Sequence, residues 1–218
     1  MFSWSSVHKY GARGGLIEGG RRIYIAGMLS ELLKLFQVRQ PSPRITEHSV
    51  HGIPVLVNNT RPDIDSNDVL ARLDRTLALI EQYVPHHFRH LKRDFAYIVV
   101  ERFACRGAYF HQQHACLVEL TFTVNPDFSD AEVAATILHE AMHARLHRLG
   151  FPLEMEDRAR QERFCRRAEI EFGELVPSGD RVVARANATL LASDEDVAPV
   201  IDPRLAAERI AEVDRRAT

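Results

Sequence analysis

The sequence predicts an α+β fold, and three observations carry that prediction. Short runs rich in β-branched and aromatic residues, bounded by turn residues, recur up to Val124. Helical runs with well-formed caps are interspersed with them and take over after Ser129. The run "NPDFSDAEVAATILHEAMHARLHRLG" has the Ser129/Glu132 pair of a capping box at one end and a cap glycine, Gly150, at the other.

Taken in order, residues 1 to 22 are rich in Gly, Ser and Arg and predict loose structure. "IYIAGMLSELLKLF" predicts an amphipathic helix near 25 to 38; Glu31 and Lys34 interrupt it, so it is neither a transmembrane span nor a signal peptide. "RITEHSVHGIPVLVNN" predicts two strands around a His-Gly turn. "DSNDVLARLDRTLALIEQYVP" is a helix, with Val69, Leu70, Leu73, Leu77 and Ile80 on one face and Pro85 beyond its end. "FAYIVVERF" is a strand, and "CRGAYF" and "ACLVELTFTV" form a hairpin around "HQQH". After Gly150, a helix is expected from about Glu154 to Leu175, with Pro177 as its stop, then helices near 180 to 192 and 203 to 215. The organisation expected is an N-terminal extension (1–43), a central domain (44–177) and a C-terminal helical extension (178–218).

The chain has 218 residues, a formal net charge of -2 and no basic patch with interleaved aromatics, so neither nucleic acid nor an anionic membrane is the expected partner. Three cysteines with no CxxC spacing argue against a disulfide framework or a cysteine zinc site. They fit reduced thiols in a cytoplasmic protein, although Cys105 and Cys116 flank the hairpin and could pair.

The chemistry concentrates in "TILHEAMHARLHRLG". His139, Glu140 and His143 form HExxH. On a helix, His139 and His143 project about 40° apart and one turn from each other, so both imidazoles can reach one ion. Glu140 lies beside them, placed to take a proton from a water that such an ion activates. Burying two histidines and a glutamate on one helix is costly unless they are partnered. His147 continues the four-residue spacing, but a further 40° of rotation and about 6 Å of rise carry it away from the same ion. The metzincin continuation fails, because Leu146 and Leu149 stand where its glycine and third histidine would be.

The following helix carries several carboxylates. Glu162 stands eighteen intervening residues after His143, and Glu169 seven residues further on, about 10 Å along the axis, so both cannot bind one ion. With HExxH, an eighteen-residue gap and a glutamate, residues 95 to 176 resemble the gluzincins, zinc metallopeptidases with two histidines on one helix and a glutamate on the next. Small bacterial groups such as the minigluzincins share this core. The resemblance implies a zincin-like fold, with a small mixed sheet packed against an active-site helix and a following glutamate helix. It implies Zn2+ held by His139, His143 and Glu162, with Glu140 as general base and a peptide or protein as substrate. Glu169 would then hold a histidine N–H or pair with Arg166. The resemblance also implies that the strand within 115 to 124 edges the cleft.

The chain departs from the large gluzincins in having no Tyr or His after His147 to steady the tetrahedral intermediate. Tyr109, His111, His114 or an arginine are the candidates for that work. Two other readings follow from this departure and from the N-terminal extension: a zinc-binding scaffold that cleaves nothing, and a regulatory protease acting on one protein. A DNA-associated protease of the SprT-like kind lacks its basic patch.

Overall fold

Two strands begin the computed structural model, which describes residues 45–152, 157–197 and 203–216. The Gly-rich start and the helix expected near 25 to 38 lie outside the described residues. Strands β1 (Ile45–Val50) and β2 (Ile53–Asn58) are joined by a two-residue turn. His51 and Gly52 both have positive φ, 50° and 76°, as the hairpin turn matched to strand twist demands.

Helix α1 (Ser66–Tyr83) follows, capped by the Asp65 carboxylate, which accepts the Asn67 N–H at 2.8 Å. Its apolar stripe of Val69, Leu73, Leu77 and Ile80 is buried, as the spacing predicts. A second helix, α2 (Pro85–Asp94), starts at Pro85, where the sequence suggested only a stop. Proline is well suited to the first helical position, because its missing N–H would have no partner there.

The remaining strands are β3 (Tyr97–Glu101), β4 (Gly107–Phe110) and β5 (Ala115–Glu119). The sheet order is β1-β2-β3-β5-β4. β1/β2 and β4/β5 are antiparallel, whereas β2/β3 and β3/β5 are parallel, so the sheet is mixed. The α+β class therefore holds. β5 runs inside the sheet and β4 forms its edge, which corrects the expectation that the 115–124 strand is the edge.

A second correction concerns "LTFTV". Its β-branched and aromatic residues read as strand, but they form a short helix, α3 (Leu120–Val124). Glu119 turns the chain: its carboxylate accepts the Phe122 N–H at 2.6 Å, and its carbonyl accepts the Thr123 hydroxyl at 2.8 Å. Local side-chain bonds of this kind override propensity over five residues.

Helix α4 (Asp130–Arg148) carries HExxH, and α5 (Arg158–Leu175) carries the carboxylates. Helices α6 (Asp180–Leu190), α7 (Asp194–Val197) and α8 (Pro203–Arg216) complete the described chain. Ser42–Thr218 form one compact unit. Its core joins Val55, Val57, Ile98, Val100, Cys116 and Val118 of the strands to the apolar stripes of α1, α2 and α4. All three cysteines are free, so Cys105 and Cys116 are not paired. No helix among the described residues is long and apolar enough to cross a membrane.

Candidate metal centre

Helix α4 is built to run through the interior. Ala131, Ala134, Ala135, Ala141 and Ala144 are all buried, and such small side chains let neighbouring elements approach on several sides. Its start is the capping box anticipated from sequence: Ser129 Oγ accepts the Glu132 N–H at 3.2 Å, and Glu132 Oε2 accepts the Ser129 N–H at 3.0 Å. Its end has the expected glycine. The Phe151 N–H reaches the Leu146 carbonyl at 3.0 Å and the Gly150 N–H reaches that of His147 at 3.0 Å, with Gly150 at φ 75°. These two bonds are a Schellman stop, and they turn the chain back towards α5.

The turn brings three donor groups together. His139 Nε2 and His143 Nε2 are 3.2 Å apart. Glu162 on α5 reaches both, with Oε2 at 3.1 Å from His139 Nε2 and Oε1 at 3.3 Å from His143 Nε2. Donors held 2.0–2.1 Å from a tetrahedral ion stand about 3.3 Å from one another. The two histidine nitrogens stand at that edge length, and each lies as close to one of the two Glu162 oxygens, so the three side chains converge on a space that suits a zinc-sized ion. The site is largely enclosed, with the His143 side chain the most open of the three at 16% exposure.

Glu169 lies on the other side of His139. The His139 Nδ1–H donates to Glu169 Oε1 at 2.7 Å, which directs the opposite nitrogen, Nε2, at Glu162 and His143. The fully buried Glu169 carboxylate also accepts from Arg166 Nη1 at 2.5 Å and Arg185 Nη2 at 3.1 Å. The two contacts weighed as alternatives for it from sequence, a histidine N–H or Arg166, are both made. Arg185 is a residue that sequence reasoning missed. It arrives from α6 through a tight turn: a Cβ on Gly179 would lie 2.0 Å from the Gly173 carbonyl oxygen, so only glycine permits this approach.

The protonation states follow from this packing. Burial disfavours a charged His139, but its bonds to Glu162 and Glu169 outweigh burial and raise its pKa to about 10. Burial likewise opposes ionisation of Glu162, and the two histidines outweigh it, holding the carboxyl well below the usual range. Glu169 is pulled to about 2, against burial, by His139 and the two arginines. Each shift thus arises from the opposite charge of its neighbours, and an ion at the donors would take the place of the proton's charge.

Glu140 stands apart from these bonds. It is buried, and burial raises its pKa against the pull of His139 and His143. No described side chain hydrogen-bonds to it. It lies against the edge strand, where a Cβ on Gly107 would meet Thr136 Cγ2 at 2.7 Å and Glu140 Oε1 at 3.0 Å. Glycine at 107 therefore lets β4 lie directly over the middle of α4.

Cys165, one turn beyond Glu162, brings its Sγ within 4.8 Å of both histidines. Burial and the neighbouring carboxylates push its thiol well above the ordinary value, and with the two histidines it forms a further set of donors on the same space. Tyr109 and the hairpin histidines gather elsewhere, at the last turn of α4. The Tyr109 hydroxyl lies 3.1 Å from His114 Nδ1 and 3.2 Å from His147 Nδ1, and His111 packs edge-on to His147. His147 is thus held by the hairpin and is absent from the donor triangle.

Comparison with protein-family models, with curated proteins and with solved structures finds no match for this chain.

Proposed function

We propose that the protein is a zincin-like zinc metallopeptidase that hydrolyses peptide bonds in a peptide or protein substrate. The observation that carries this reading is the convergence of His139, His143 and Glu162, with separations of 3.1, 3.2 and 3.3 Å among the histidine nitrogens and Glu162 oxygens. The helix that supplies the two histidines also carries the buried Glu140, whose carboxyl feels both of them.

His139, His143 and Glu162 would hold the zinc. Bound there, zinc would supply a Lewis acid for the scissile carbonyl and lower the pKa of a water to about 7. Glu140 takes the proton from the attacking water and returns it to the leaving amine; its burial raises its basicity for the first of these steps. Glu169 fixes the tautomer and direction of His139, and Arg166 and Arg185 fix Glu169 in turn. No strand pairs with the outer edge of β4 among the described residues. Its backbone groups suit an extended peptide added as a further strand alongside α4.

The test is hydrolysis of unfolded protein by the zinc-loaded chain beside its Glu140→Gln variant, read as new amino termini by mass spectrometry. The variant should retain zinc and lose at least about 100-fold in rate. Equal rates in the two proteins would reject Glu140 as the base. A non-proteolytic zinc scaffold is favoured by one feature: the Tyr109 hydroxyl is already engaged by His114 and His147. That second reading expects bound zinc and no new termini in either protein.

A further inference from the structure

Away from the donor triangle, a second set of metal-type donors converges where α2 meets α5. His86 and His87 are adjacent in sequence, in the first turn of α2. Neighbouring positions on a helix point about 100° apart, so two such side chains ordinarily diverge. Here both turn to the same carboxylate. His86 Nε2 lies 3.3 Å from Glu171 Oε1, and His87 Nε2 lies 3.3 Å from Glu171 Oε2. The two rings are 4.2 Å apart between centroids. One ligand atom from each of the three residues falls within 4.8 Å of the other two.

We propose that His86, His87 and Glu171 form a second binding site for a divalent first-row metal ion of the zinc class. The donor chemistry selects that class, because two imidazoles and one carboxylate suit Zn2+, Ni2+, Co2+ or Cu2+ better than the oxygen-seeking Mg2+ or Ca2+. Each histidine nitrogen lies 3.3 Å from one of the two Glu171 oxygens, a separation ordinary between donors that share an ion. The His87 side chain is only 11% exposed while His86 and Glu171 are 46% and 48% exposed. The site is thus anchored on its inner side and open to water on its outer side, and the coordination is completed by solvent. It binds more weakly than the enclosed triangle at His139. Because Glu171 is two residues from Glu169 on α5, an ion here ties the helix that carries Glu162 and Glu169 to α2.

This inference does not depend on peptidase activity, nor on zinc at His139. The test is a titration of the full chain with Zn2+, and separately with Ni2+, against a chelator of known affinity. Glu171→Ala and His86→Ala are the variants, both at half-exposed positions that the fold tolerates. Each should bind one ion fewer than the wild type, or bind it at least about tenfold more weakly. His139→Ala should leave this weaker class in place. His90, whose ring lies 6.4 Å from that of His87, is the control: His90→Ala should bind as many ions as the wild type. Unchanged metal binding in Glu171→Ala and His86→Ala, with their unfolding temperatures preserved, would overturn the site. Equal loss in His90→Ala would overturn it too, by showing general histidine adsorption.

Discussion

Glu169 Oε1 lies 2.7 Å from His139 Nδ1, and that bond directs His139 Nε2 at Glu162 and His143. One buried carboxylate thereby orients a histidine supplied by a different helix.

If the proposed zinc is held at the triangle, removing one of its donors should remove the ion and the stability it lends. His139→Ala or His143→Ala should each cost one tightly bound zinc per chain. The unfolding temperature in zinc-containing buffer should fall with it, since an ion that binds only the folded state stabilises that state. Metal analysis with thermal melts checks this. Retention of all zinc by both variants would remove His139 and His143 from the centre.

The metal-free protein should lose stability in mild alkali. The folded pKa of His139 is raised from 6.5 to about 10, so its contribution is fully present below 6.5 and disappears as pH rises through about 10. Glu162 and Glu169 have lowered folded values, so their contributions are present above 4.5 and lost as pH falls further. The metal-free chain should therefore melt highest between roughly pH 4.5 and 6.5 as far as these groups decide it. Zinc uptake at about pH 7.5 should also expel the His139 proton, and calorimetry in two buffers of different ionisation enthalpy measures that release. A metal-free melting temperature that climbs from pH 7 to 9 would contradict this placement of His139.

Gly107→Ala should damage the centre from the sheet side. The added methyl would lie 2.7 Å from Thr136 Cγ2 and 3.0 Å from Glu140 Oε1, so β4 or α4 must shift. A destabilisation of about 1–3 kcal/mol is expected, as for other overpacked positions. Denaturant unfolding checks the size. Hydrolysis should fall by more than the unfolded fraction explains, because Glu140 is one of the displaced groups.

Some of this was legible in the sequence for a definite reason. The caps of α4 and its HExxH spacing are local patterns, fixed by helix rise and rotation, whereas the preference for Glu162 over Glu169 rests on the eighteen-residue spacing of the gluzincin resemblance. The stripe of α1 repeats over several turns and was equally plain. Helix α2 was missed because only Phe88, Leu91 and Asp94 of its ten residues are buried, too few to set a period. The edge position of β4 was missed because strand order depends on pairings between segments, which no window of sequence displays. Arg185 and Cys165 were missed for a related reason: they reach the centre through the packing of α6 on α5 and of α5 on α4. Neither has a motif, and only a clue such as the Gly173/Gly179 pair, read as a close helix turn, pointed that way.

The central claim is that Glu162 closes the metal site while Glu169 only orients His139. It is tested most directly by a competitive zinc titration of the wild type beside Glu162→Ala and Glu169→Ala. Glu162→Ala should weaken the tightest zinc by orders of magnitude, because a donor 3.1 and 3.3 Å from the two histidine nitrogens is lost. Glu169→Ala should weaken it by about 10–100-fold, as for the loss of a group that supports a ligand from behind. The reverse ranking, or tight zinc retained without Glu162, would contradict the account.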